Sequence, residues 1–158
     1  MFIIDGHNLL HSILKLEEDS GAISDLGLCR LLSRYFALTS EKGEIIFDGT
    51  GPRDKSGFDT ISNLEISFAG FGTDTDTVIE DKISASTAPK SLTIVSSDRR
   101  LRSAARARRA TSIKSDVFWY DVQKQLNRKR PIKEPTEKRQ GLNEGETEQW
   151  LEFFGFGQ

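Results

Sequence analysis

An α/β fold built on a mainly parallel sheet follows from three observations on the sequence. Short, largely apolar runs rich in Ile recur at residues 2–4, 45–47 and 92–95. Each ends on an acid, namely Asp5, Asp48 and Asp98. Between them lie segments with apolar residues at helical spacing, and strands that alternate with helices imply parallel pairing with right-handed crossovers. The 158 residues suffice for one domain with a real core.

Taken in order, Phe2-Ile3-Ile4 is a short buried strand closed by Asp5, and Gly6 allows the chain to turn sharply. Leu9 to Leu16 carries Leu9, Leu10, Ile13 and Leu14 on one helical stripe. A second helix is expected over about residues 22–39, with Leu28, Leu31, Leu32, Tyr35 and Phe36 as its stripe and Gly43 as its stop. Residues 44–49 repeat the first strand's form: apolar run, acid, glycine. A polar loop follows over 50–63, carrying Arg53 and Lys55. Leu64 to Phe68 alternates and reads as a third strand at a sheet edge. A helix is expected from about Thr73 to Ser86, a fourth strand over residues 92–98, and a helix from Arg99 to Ala110. A fifth strand is expected within Ile113–Tyr120, including Val117-Phe118-Trp119, and a last helix over Asp121–Asn127. Residues 1–127 thus form one domain. Residues 128–158 read as a Pro-containing linker followed by a short helix near 144–154, able to dock through Trp150, Leu151 and Phe154.

With 29% charged and 36% hydrophobic residues, and no apolar run near the roughly 20 residues that span a bilayer, a soluble protein is expected, without membrane association. The opening residues have no basic leader pattern, and the single Cys29 makes no internal disulfide, so a cytoplasmic setting is expected. A net charge of −2 gives no overall bias towards nucleic acid, but Arg and Lys concentrate in residues 99–133.

Parallel strands point their carboxyl ends the same way, so Asp5, Asp48 and Asp98 share one rim. Asp74 and Asp76 open the helix after the third strand and face that rim as well, and Glu80 follows Asp76 by one helical turn. Helix capping accounts for one or two such acids. Six carboxylates repel one another unless protonated or neutralised by a cation. Hard oxygen ligands suit Mg²⁺ or Mn²⁺, and a site of that kind can activate water against a phosphodiester. His7 and His11 lack partners for zinc. Neither a P-loop nor a dinucleotide-binding glycine motif is present, and Asp5 lacks the second Asp of an aspartyl-phosphate motif. Arg99, Arg102, Arg106 and Arg109 recur as one helical stripe able to position phosphates.

Ile3-Ile4-Asp5-Gly6-His7-Asn8-Leu9, Ile45-Ile46-Phe47-Asp48-Gly49, Thr75-Asp76-Thr77-Val78-Ile79-Glu80 and Val95-Ser96-Ser97-Asp98 together resemble NYN-domain proteins, the PIN-like ribonucleases, and their YacP-like branch in particular. The resemblance spans residues 1–125. It implies a three-layer α/β/α sandwich and metal-dependent endonucleolytic cleavage of RNA, on ribosome-associated mRNA in the YacP-like branch. By position it assigns Asp5, Asp76 and Asp98 to metal, with Asp48 a ligand or a neighbouring acid, and Asn8 to orienting the site. His7 stands where the family commonly has Tyr, and the doubled acid of Thr73-Asp74-Thr75-Asp76 departs from the family's T-A-D. Asp76 is preferred over Asp74 because Ile79-Glu80 follows it at the family's spacing, leaving Asp74 and Glu80 in supporting places. A non-catalytic RNA- or ribosome-binding module on the same fold is the alternative.

Overall fold

The computed structural model describes residues 1–17 and 23–128. Five strands form one all-parallel sheet in the order β3-β2-β1-β4-β5: β1 Phe2–Asp5, β2 Gly43–Phe47, β3 Leu64–Phe68, β4 Thr93–Val95 and β5 Thr111–Ile113. The helices are α1 Gly6–Leu16, α2 Asp25–Thr39, α3 Ser56–Asp59, α4 Thr75–Ala85, α5 Arg99–Ala107 and α6 Ser115–Arg128. By its contacts the chain divides into Met1–Val122 and Gln123–Gln158. Arg128, the expected start of the linker, still belongs to α6; the rest of the expected linker and the C-terminal helix fall outside the described residues, as do residues 18–22.

Strand alternation sorts the core into two layers. Ile3, Ile46 and Ile94 pack with Ile79, Ile83, Leu101 and Ala105 of α4 and α5. The opposite face belongs to α1, α2 and the start of α6. There Phe2 lies 5.3 Å from the Phe36 ring and 5.7 Å from Phe118, and Tyr35 meets Phe118 at 5.5 Å. The Tyr35 hydroxyl donates to Asp121 at 2.6 Å across this layer, and burial together with that carboxylate pushes its pKa up. Cys29 is fully buried, its thiol pushed up to about 12 by burial, so it is an inert filler.

Three sequence expectations are corrected. Val117-Phe118-Trp119 is helical: Ser115, Phe118, Trp119 and Val122 are buried at i, i+3, i+4 and i+7, so helical periodicity overrides the strand preference of aromatics. Gly43 does not stop α2. Ser40 does, in the left-handed conformation at φ 58°, and Gly43 opens β2, where a Cβ would stand 2.6 Å from the Phe36 ring. Helix α5 ends at Ala107 instead of Ala110, because Arg109 turns to φ 65° and takes the chain into β5.

Candidate active site

The sheet order places the topological switch between β1 and β4. The chain winds from β1 outward to β2 and β3, then crosses to β4 and β5 on the other side. Crevices at the carboxyl ends of strands beside such a switch are where open α/β sheets bind ligands. Asp5 is the last residue of β1, and Ser96-Ser97-Asp98 follows β4 directly.

Register decides which layer these groups face. Ile3 pairs with Glu44 and Ile94, and Asp5 pairs with Ile46. Asp5, Glu44, Ser96 and Asp48 therefore share the parity that faces α4 and α5. The observed contacts agree. Glu44, 7% exposed, pairs with Lys82 of α4 at 3.1 Å. Asp48 accepts from the Thr75 backbone N–H at 3.1 Å and from its hydroxyl at 2.6 Å, fixing the first turn of α4. These bonds, the Thr75 hydroxyl foremost, hold the Asp48 carboxyl below its usual range. Its backbone N–H donates to His7 Nδ1 at 3.1 Å.

Asp5 is only 5% exposed. Oδ1 accepts from the Asn8 backbone N–H at 3.4 Å, capping α1, and Oδ2 accepts from the Ser96 hydroxyl at 3.1 Å. Burial nevertheless pushes its pKa up, aided by the charges of Asp48 and Asp98. Ser96 Oγ also accepts the Asp98 backbone N–H at 3.1 Å, so one fully buried hydroxyl ties two acids together. Asn8 Oδ1 accepts from Ser97 N–H at 2.9 Å and from the Ser115 hydroxyl at 2.6 Å, locking the loop that carries Asp98 to α1 and α6.

Asp98 caps α5, accepting Arg100 N–H at 2.8 Å, and Asp76 stands in the first turn of α4. The two carboxyl groups are close neighbours. Burial, the adjacent Asp98 carboxyl and the charge of Asp5 push Asp76 up to about 6, against the lowering influence of Arg100. Asp5, Asn8, Asp76 and Asp98 thus converge.

The remaining acids are otherwise engaged. Asp74 caps α4 through Thr77 N–H at 2.8 Å. Glu80 takes Arg100 in a two-pronged pair, both bonds 2.8 Å, and Arg100 Nη1 lies 3.9 Å from Asp76. Arg100 was missed in the sequence because the stripe counted from Arg99 runs along a different face of α5. The signal that finds it is its place two residues after a capping Asp, opposite Glu80 of the neighbouring helix. Of the stripe, Arg99 and Arg106 are exposed, Arg102 is half-buried with Nε unpartnered, and Arg109 leaves the helix. Arg53 is exposed on the β2–β3 loop.

The donors that converge are hard carboxylate oxygens, which suit Mg²⁺ or Mn²⁺ by chemistry. As the side chains stand, no group of three or more His, Cys, Asp or Glu among the described residues is arranged to hold a metal ion. Asp5 accepts from Asn8 and Ser96, Asp98 accepts from Arg100 N–H, and Asp76 lies beside Arg100. A carboxylate has about four acceptor positions, so each retains free lone pairs. No described helix is long and apolar enough to cross a membrane.

Comparison with known proteins gives one family. The model of the YacP-like NYN domain matches residues 2–153. The chain is similar in fold to the crystal structure of Rae1 (YacP) from Bacillus subtilis, at 17% identity and a TM-score of 0.69, covering 98% of this chain and 91% of that one. It is similar also to that protein's W164L mutant, at 18% identity and a TM-score of 0.62, covering 80% and 77%. No curated protein matches the sequence.

Proposed function

Because the chain belongs to the YacP-like NYN-domain family, whose ribonuclease-type fold it has, we propose that it is a divalent-metal-dependent endoribonuclease. The observation that carries this reading is the convergence of Asp5, Asp76 and Asp98 at the switch point, with Asp5 and Asp76 both pushed up by burial and by their neighbours. Carboxyls held in repulsive proximity destabilise the fold, and displaced acids of this kind mark sites that work on something.

In this reading Asp5, Asp76 and Asp98 hold Mg²⁺ or Mn²⁺. Such a cation, when bound, makes water more acidic and offsets charge on phosphoryl oxygens. The chain's own groups do the positioning. Ser96 fixes Asp5 relative to Asp98, Asn8 and Ser115 fix the Asp98 loop, and Asp48 fixes the start of α4 through Thr75. Asp74 secures the same turn. Glu80 holds Arg100 beside Asp76, where the guanidinium can meet a phosphate oxygen. Arg99, Arg106 and Arg53 supply exposed positive charge for the RNA backbone, with Arg102 and Arg109 flanking them. The substrate is RNA in the cytoplasm, with ribosome-associated mRNA as the specific form taken from the YacP-like branch.

The test is incubation of labelled RNA, naked and on translating ribosomes, with Mn²⁺, with Mg²⁺ and with EDTA. Internal cleavage that requires the cation is expected. Cleavage undiminished in EDTA, or no cleavage of either substrate, overturns the reading.

A further inference from the structure

The β3–α4 connection carries a feature that the acidic site does not use. Phe71 is 95% exposed, the most exposed large apolar side chain among the described residues. It lies between Gly70 at φ 98° and Gly72 at φ 84°, backbone conformations that only glycine adopts freely, so the turn lifts one aromatic ring off the surface. The turn's root is secured. Gly70 N–H bonds to Gly49 O at 2.9 Å and Ala69 N–H to Phe47 O at 2.8 Å. On the far side Thr75 is held by Asp48. Both anchors belong to the residues that frame the acids, and Asp76 is five residues on.

The adjoining loop supplies positive charge. Gly51 packs so closely on Phe68 that a Cβ there would stand 2.7 Å from the ring, and Lys55 Nζ sits 5.5 Å over the same ring. Arg53, between them, is exposed, while Asp54 between Arg53 and Lys55 is turned onto Ser56 N–H at 3.0 Å. An exposed aromatic ring on a turn that is bridged at Gly70–Gly49 to the start of a loop with exposed cations, with Asp76 following the turn, matches how proteins hold unpaired nucleic-acid strands. The bases stack on aromatic faces while the backbone follows the positive charge.

We propose that Phe71 is a stacking platform for an unpaired base of an RNA strand lying across the β2–β3 side of the acidic site, with Arg53 on its phosphates. This rests on the RNA-cleaving reading and names how the strand is held. Phe71 makes the strand's register, not its cleavage, and it favours single-stranded over paired RNA because a stacked base must leave its partner.

The experiment measures affinity for a fluorescein-labelled single-stranded oligoribonucleotide in EDTA, over a range of salt, for wild type and for Phe71→Ala, Phe71→Leu, Phe71→Trp and Arg53→Ala. Melting temperature and sedimentation serve as controls. Phe71→Ala and Phe71→Leu are expected to weaken binding roughly tenfold with the salt dependence unchanged. Phe71→Trp retains or tightens it, and Arg53→Ala flattens the salt dependence. Unchanged affinity in Phe71→Ala overturns the proposal, and so does wild-type affinity in Phe71→Leu, which would mean an apolar contact without stacking. A dimer that Phe71→Ala converts to monomer, with RNA binding intact, assigns the ring to a second copy and overturns it as well. If wild type neither binds nor cleaves RNA, both readings fall. If wild type cleaves and Phe71→Ala binds normally, only this one does.

Discussion

The two faces of the sheet are built from different materials. Against α1, α2 and the start of α6 the sheet presents Phe2, Ile4, Ile45 and Phe47, and the layer closes through Phe36, Tyr35 and Phe118. Against α4 and α5 the same strands present Ile3, Ile46 and Ile94, but also Glu44, Asp5 and Ser96, with Asp48 just past β2. Charged contacts run through that second layer: Glu44 with Lys82, Glu80 with Arg100, and Arg108 on the last carbonyls of α4. One face supplies stability by burying rings. The other gives up part of that stability to hold carboxylates in a half-dry place, and a single parity along three strands separates the two.

Cutting into the aromatic face sharpens this contrast most. Phe118→Ala, at a ring 2% exposed, is expected to cost about 4 kcal/mol. Denaturant unfolding would measure it, and the fraction that remains folded should keep its RNA affinity. On the other face Arg108→Ala removes three bonds from one guanidinium to the carbonyls of Ile83, Ser84 and Ser86. A loss of about 1.5 kcal/mol is expected in the same assay.

The smallest effect has the opposite sign. The folded-state pKa of Asp76, about 6, lies above its unfolded value, 3.8, so the folded state binds more protons between those pH values. Stability therefore falls as pH rises through that window, and above it the folded protein carries the repulsion in full. Asp76→Asn is expected to raise stability at pH 7 by about 1 kcal/mol after screening by water, worth about 3 °C in Tm without metal. The gain should vanish below about pH 4. A variant no more stable than wild type at pH 7 would mean that the rim is not strained.

Much of this was legible in the sequence, for a physical reason. Parallel strands end on the same rim whatever the loops do, so Asp5 and Asp98 are placed together by alternation alone, and the β1–β4 pairing follows from the winding. Helix caps were legible as well, since Asp74 precedes Thr75 and Thr77 at capping distance. What was not legible depended on orientation across elements. Arg100 gains its meaning only from Glu80 on another helix, and the buried hydroxyls of Ser96 and Ser115 only from Asp5 and Asn8. Phe118 misled because aromatic composition suits a strand while its spacing from Ser115, Trp119 and Val122 suits a helix. Arg109 fell out of the stripe because one left-handed residue ended the helix early.

The most direct test of the acidic face is Asp98→Asn. Asn caps a helix as well as Asp does, so α5 and the fold should be kept, while one carboxylate is removed from the converging three. Cleavage and binding of the same RNA should be measured side by side with cation present. A fall in turnover of roughly a hundredfold or more, with affinity unchanged or improved, is the predicted result. Cleavage at the wild-type rate by a folded Asp98→Asn protein would contradict the account, leaving Asp98 as a helix cap and nothing more.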